Sequence, residues 1–258
     1  MKAFRNLLIA LLTFCSYVEC SESLFRHQMS IGPEVYYVKR TREGGSEQDG
    51  CLFGARLGYN YIRRYAFYLG CDGLYAEGTL RGEGKDGKKL KSNLSDANLE
   101  GRIGYTFESK CCYHPSFTPF FGFGYFWEIN KYKHPSPLTV HFHNHFTYIP
   151  VGFLSRVFIN PCLSIGLNLK ARILLEGKTQ VKHDAECEDS ELTYEEMPHY
   201  RVEVPISYYF DWCDIEMGAI LEPFYEYRHY GHRANYPFDF LDTKFRLYGA
   251  NLRLLFVF

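Results

Sequence analysis

Long stretches of this chain alternate, residue by residue, between apolar side chains and glycine or full charge. In residues 53–61, Phe53, Ala55, Leu57, Tyr59 and Tyr61 share one face, while Gly54, Arg56, Gly58 and Asn60 share the other. In residues 99–107, Leu99, Gly101, Ile103, Tyr105 and Phe107 oppose Glu100, Arg102, Gly104 and Thr106. In residues 163–173, Leu163, Ile165, Leu167, Leu169, Ala171 and Ile173 oppose Ser164, Gly166, Asn168, Lys170 and Arg172. In residues 200–210, Tyr200, Val202, Val204, Ile206, Tyr208 and Phe210 oppose Arg201, Glu203, Pro205, Ser207 and Tyr209. A period of two is the signature of a strand with two unlike faces. Each stretch reads as roughly 9–12 residues, longer than the usual globular strand of about 5–6 and matched to a tilted membrane crossing of about 9–11.

The charged face decides which side of such a sheet meets which medium. Arg56, Glu100, Arg102, Lys170, Arg172, Arg201 and Glu203 all lie on it. Seven charges are costly in a dry core unless paired. Inside a closed cylinder with a wet lumen they can pair with one another and with water, which sends the apolar face outward to lipid. Weaker alternation around Ile31, Val35 and Tyr37, Phe67 to Tyr75, Phe121 to Trp127, residues 146–157, Ile215 to Leu221 and Leu252 to Phe258 fills the gaps. The fold class expected is all-β: a closed antiparallel transmembrane β-barrel of ten strands, with eight or twelve as alternatives.

Connections are expected to alternate in length. Short ones cover residues 62–64, 159–161 and 211–213, with a longer one at 108–117; long ones cover 40–50, 78–98, 128–145, 176–198 and 229–242. Tyr37, Tyr61, Trp127, Tyr200 and Tyr227 fall near the expected strand ends, where interfacial aromatic girdles belong. A net charge of −1 leaves no case for nucleic acid as a partner. Residues 1–20 read as a secretory signal peptide, with Lys2 and Arg5 ahead of about a dozen apolar residues, too few for a membrane-crossing helix. Residues 21–258 form the barrel domain in this reading.

The segment Tyr-Gly-Ala-Asn-Leu-Arg-Leu-Leu-Phe-Val-Phe, residues 248–258, resembles the terminal strand of bacterial outer-membrane β-barrel proteins, which ends on an aromatic residue preceded by alternating apolar ones. The resemblance implies residence in the bacterial outer membrane after export, short turns on the periplasmic side and long loops outside. It also implies that Tyr248, Phe256 and Phe258 form the signal read by the outer-membrane insertion machinery, and that the last strand pairs with the first. Outer-membrane lipid and lipopolysaccharide are then the surrounding partners.

Nine cysteines are unusual for such a barrel, and two of them fall in the signal peptide. Cys111, Cys112, Cys162 and Cys213 map to the turn side, and Cys51 and Cys187 to the loop side. An oxidising compartment makes disulfides an option, within the chain or to other envelope proteins, and seven mature cysteines leave at least one thiol over. In this respect the chain is similar to cysteine-bearing outer-membrane proteins of chlamydia-like bacteria. Unlinked thiols are the alternative.

His141, His143 and His145 occupy every second position, so an extended backbone points all three one way, an arrangement that can ligate a transition metal. The stretch 176–198 is acidic and the stretch 78–98 basic. No GxSxG, HExxH or glycine-rich phosphate loop is present, and no cofactor is implied. Three functions remain in play: a surface-structural, ligand-binding or adhesive role through the loops, a narrow pore for small solutes, and an outer-membrane hydrolase of omptin-like type. For the last, His145, Asp239 and Asp242 lie at the rim, and no family motif aligns with them.

Overall fold

The computed structural model describes residues 27–109, 114–137, 139–182, 190–193, 198–213, 215–231 and 242–258. Its strands are β1 (His27–Arg42), β2 (Ser46–Tyr61), β3 (Ala66–Glu83), β4 (Lys89–Glu108), β5 (Ser116–Tyr132) and β6 (His141–Asn160). They continue with β7 (Leu163–Ile165), β8 (Asn168–Lys182), β9 (Ser190–Thr193), β10 (His199–Glu203), β11 (Ile206–Trp212), β12 (Ile215–Tyr230) and β13 (Thr243–Val257). All pairings are antiparallel between neighbours.

These segments make a ring of ten spans. β7 and β8 both pair with β6 and form one span broken at Gly166–Leu167. β10 and β11 both pair with β12 and form another, broken at Val204–Pro205. β9 pairs only with β8 and stands outside the ring. The cylinder closes where β1 meets β13, in a ladder from Gln28–Val257 to Arg42–Thr243. Phe258 exchanges both backbone hydrogen bonds with His27, each 3.0 Å. Closure removes the sheet edges that hydrocarbon does not tolerate.

The outer wall carries an apolar belt. Met29, Ile31 and Val35 on β1, Phe53 and Leu57 on β2, Leu99, Ile103 and Phe107 on β4 and Leu252 and Leu254 on β13 are all exposed. A continuous apolar surface of this kind marks contact with lipid or a partner. On β12 and β13 a cross-strand Tyr225–Tyr248 pair, ring centroids 5.1 Å apart, marks its upper limit, with Tyr37 opposite Tyr248 and Tyr75 at a similar height on β3.

Above that girdle the strands run on, and their two faces exchange character. On β1 the outward series Ile31, Val35, Tyr37 gives way to Lys39 and Thr41, while the inward series Ser30, Glu34 gives way to Tyr36 and Val38. On β3, Phe67, Leu69 and Tyr75 are followed outside by Glu77 and Arg81, and Asp72 is followed inside by Leu74, Ala76 and Leu80. The strands are therefore mostly 15–20 residues long, not 9–12. Much of the expected long connections at 40–50 and 78–98 is strand: only residues 43–45 separate β1 from β2, and 84–88 separate β3 from β4. The physical reason is that the wall leaves the membrane at the girdle. There its outer side chains face water, and a polar outer row read as loop. The upper girdle residues accordingly lie in mid-strand, not at strand ends.

The interior above the girdle holds an apolar cluster. Tyr36, Val38, Leu52, Leu80, Leu94, Phe126, Phe146, Val181, Phe245 and Leu247 form one buried cluster across the cylinder. Ten strands leave a lumen only slightly wider than the eight-stranded barrel that side chains just fill, and here aromatic rings fill it.

Candidate functional site

Below this aromatic plug, at the height of the lipid belt, the lumen is crossed by a layer of charge. Every second residue of each strand points inward, which brings Arg56, Glu100, Arg102, Lys170, Arg172, Arg201 and Glu203 into one buried layer. Arg56 reaches four carboxylates: Asp72 at 2.9 Å, Glu34 at 3.2 Å, Glu203 at 3.3 Å and Glu222 at 3.7 Å. Arg201 bonds Glu203 at 2.6 Å, Glu226 at 3.0 Å and Glu34 at 3.4 Å. Glu100 accepts from Arg102 at 2.5 Å and Lys170 at 3.1 Å, and Arg172 bonds Glu226 at 3.0 Å.

The layer has further members beyond the seven that the alternation names: Glu34, Asp72, Asp96, Glu128, Glu222, Glu226, Arg228 and Arg253. Arg228 joins Glu226 at 2.7 Å and Asp96 at 2.8 Å, and Arg253 joins Glu222 at 2.9 Å. The signal that finds two of them is parity: Asp96 is in phase with Glu100 and Glu128 with Gly124, although both fall in stretches, 78–98 and 128–145, that read as connections. The layer as a whole sets seven cations against eight carboxylates, so nearly every buried charge has a partner of opposite sign. An unpaired charge at such depth costs several kcal/mol.

Aromatic side chains seal the layer from above. The Arg201 guanidinium lies 3.7 Å from the Phe224 ring centroid and Arg228 4.6 Å from that of Phe126, geometries of cation–π contact. The Tyr148 hydroxyl donates to Glu100 at 2.8 Å, and Tyr36 donates to Asp96 at 2.9 Å. Gly124 makes this possible, since a Cβ there would lie 2.2 Å from the Tyr148 ring. Below the layer, toward the turn end, is a polar cavity of about 90 Å³ that touches Arg56, Asp72, Arg102, Glu203, Glu222 and Arg253.

His143 and its neighbours His141 and His145 share the outer face of β6, above the belt. His141 stands between Lys131 and Lys182, and His145 between Trp127 and Lys178. His145 also lies 3.0 Å from the Tyr125 hydroxyl. Burial, together with Lys182 and Lys131, holds the His143 imidazole below its ordinary value, so it stays neutral near pH 7. Among the described residues no three His, Cys, Asp or Glu side chains converge as a metal site.

No disulfide joins the described cysteines. Cys51 and Cys71 carry exposed free thiols on the outer wall, Cys213 an exposed one at a turn, and Cys162 is buried. Cys111, Cys112 and Cys187 lie outside the described residues, as do Asp239 and residues 1–20, which read as a signal peptide. His229 and Asp242 pair at 2.7 Å on the loop-side rim, with Lys244 4.0 Å from the same carboxylate. At the terminal strand, Phe258 stacks on His27 at 6.1 Å, Phe256 is half-buried in the outward row, and Tyr248 belongs to the girdle.

This geometry has a counterpart among solved structures. The outer membrane protease OmpT from Escherichia coli superposes with a TM-score of 0.55 at 10% sequence identity, over 90% of this chain and 96% of that one. The translocator domain of the autotransporter NalP from Neisseria meningitidis aligns over 100% of this chain and 95% of its own, at 10% identity and a TM-score of 0.49, too distant to carry weight. No protein-family model matches the sequence, and no curated protein matches it. The fold is that of the bacterial outer-membrane β-barrels. At this identity, likeness to a protease speaks for architecture and not for activity.

Proposed function

We propose that this protein is a non-conducting outer-membrane barrel that acts at its loop-bearing end, as a surface-structural or ligand-contacting element. The observation that carries this reading is the double seal of the lumen: a paired charge layer beneath an aromatic plug that includes Phe126, Phe146, Tyr148 and Phe245. A transport path would need those rings and guanidinium groups to part. Among the described residues, the rim does not bring a histidine and a carboxylate together over the lumen. His229 faces outward from the wall with Asp242, and His145 contacts Tyr125.

The outer wall favours a lipid-anchored role. Lys131 and Lys182 flank His141, and Lys178 stands beside His145 across from Trp127, a disposition that suits lipopolysaccharide phosphate at the membrane boundary. The outward alternation of Leu252, Leu254, Phe256 and Phe258 is what the insertion machinery would read during assembly. The exposed thiols of Cys51 and Cys213 leave room for links to other envelope proteins.

Planar-bilayer recordings on refolded full-length protein test the central claim. No steady conductance is expected, with or without reductant. Sustained channels blocked by substitutions in the charge layer would overturn the reading in favour of a narrow pore.

A further inference from the structure

At the loop end, three hairpin tips enclose a cleft of about 270 Å³. Arg42, Glu43 and Ser46 of the β1–β2 turn line one side, and Lys85, Asp86 and Lys88 of the β3–β4 turn the other. Leu90, Tyr132 and Pro137 supply apolar surface. A concave, partly apolar site with a few convergent charges is the usual form of a small-molecule pocket, and the volume suits one sugar ring.

The feature that gives the cleft a preference lies beneath its floor. Arg40 is 3% exposed. The other buried arginines of the lumen, Arg56, Arg102, Arg172, Arg201, Arg228 and Arg253, each have a carboxylate within 4.0 Å. Arg40 has none among the described residues. Its partners are neutral: the Gln48 side-chain carbonyl, the Tyr132 hydroxyl, and the Tyr132 and Phe245 rings with centroids at 5.5 and 6.0 Å. Burial alone would raise the Tyr132 hydroxyl, yet Arg40 and Arg42 outweigh it and hold that group below its ordinary value. A buried cation without a counter-charge is costly, and a bound anion would offset the cost.

We propose that this cleft binds a carboxylate-bearing sugar, with the ring against Tyr132 and Leu90 and the carboxylate facing Arg42, Lys85 and Lys88 in the field of Arg40. The proposal deepens the surface-contact reading above, since it names the chemistry of the ligand met at the loop end. A free sugar acid and the terminal residue of an acidic glycan present the same group.

The test uses the full-length protein in detergent micelles, with saturation-transfer NMR and titration calorimetry. Glucuronate, its uncharged methyl ester and a glucuronate-terminated trisaccharide are the probes. Glucuronate is expected to bind and the ester to fail. Lys85→Ala combined with Lys88→Ala, both in an exposed turn, should weaken glucuronate about fivefold or more, the effect of about one unit charge at about 4 Å in high dielectric. Arg40→Met should weaken it as well, with folding checked by the mobility shift between heated and unheated samples. Equal binding of the ester, no saturation transfer, or full affinity in the double lysine variant would overturn the proposal. Tighter binding of the trisaccharide would identify a glycan end as the source, and equal binding the free acid. The surface-contact reading fails separately, if an impermeant amine reagent on whole cells does not reach Lys85 and Lys88.

Discussion

Replacing Arg56 with methionine removes the hub of the lumen charge layer. Its guanidinium stands within 3.7 Å of Asp72, Glu34, Glu203 and Glu222, and its side chain is 4% exposed. Arg201 still reaches Glu34 and Glu203, and Arg253 still reaches Glu222. Among the described residues, Asp72 keeps ion-pair contact with Arg102 alone, at 3.9 Å. Stranding one member of a buried ion pair typically costs about 3–5 kcal/mol. The polar cavity of about 90 Å³ adjoins Arg56 and Asp72, so water can reach the stranded carboxylate. That relief places the expected loss near the lower bound, about 3 kcal/mol. Arg56→Lys keeps the charge but not the planar fork that bridges several carboxylates, and should lose less, about 1–2 kcal/mol. Reversible urea unfolding of protein refolded into lipid vesicles, followed by tryptophan fluorescence, measures both. A loss below about 1 kcal/mol for Arg56→Met, or a larger loss for the lysine variant, would refute the idea that paired charge holds the lumen together.

The height of the membrane along the wall is open to test by arginine scanning. Ile31→Arg, in the belt, should cost about 2–4 kcal/mol, and Thr41→Arg, on the same face of β1 but above the girdle, close to zero; equal costs would misplace the belt. In single-cysteine variants, Cys51, opposite Tyr37 at the girdle, should react with an impermeant maleimide, while Cys71, beside Tyr59 and Gly101 within the belt, should react only with a lipid-soluble one. The reverse order of reactivity would turn the barrel's apolar belt into something other than a lipid contact.

The alternation in residues 53–61, 99–107, 163–173 and 200–210 was enough to assign two faces to each strand and to place the seven charges on the inward one. It was enough because the period of two is a property of the extended backbone, carried by neighbouring residues alone. Beyond Tyr37 and Tyr75 the same local rule holds, but polarity no longer tells inside from outside, and Thr41 and Arg81 read as loop. Asp96 and Glu128 escaped notice for that reason, though each is in phase with Glu100 or Gly124. Which cation meets which carboxylate, as in the contact of Arg201 with Glu34 across 167 positions of chain, follows from register and lumen radius. So does the wall of rings that closes the pore. Face alternation is local and therefore legible one strand at a time. The sealing of the lumen, the level at which the wall leaves the lipid, and the burial of Arg40 under the outer cleft arise only when ten spans close on one another and share a single interior.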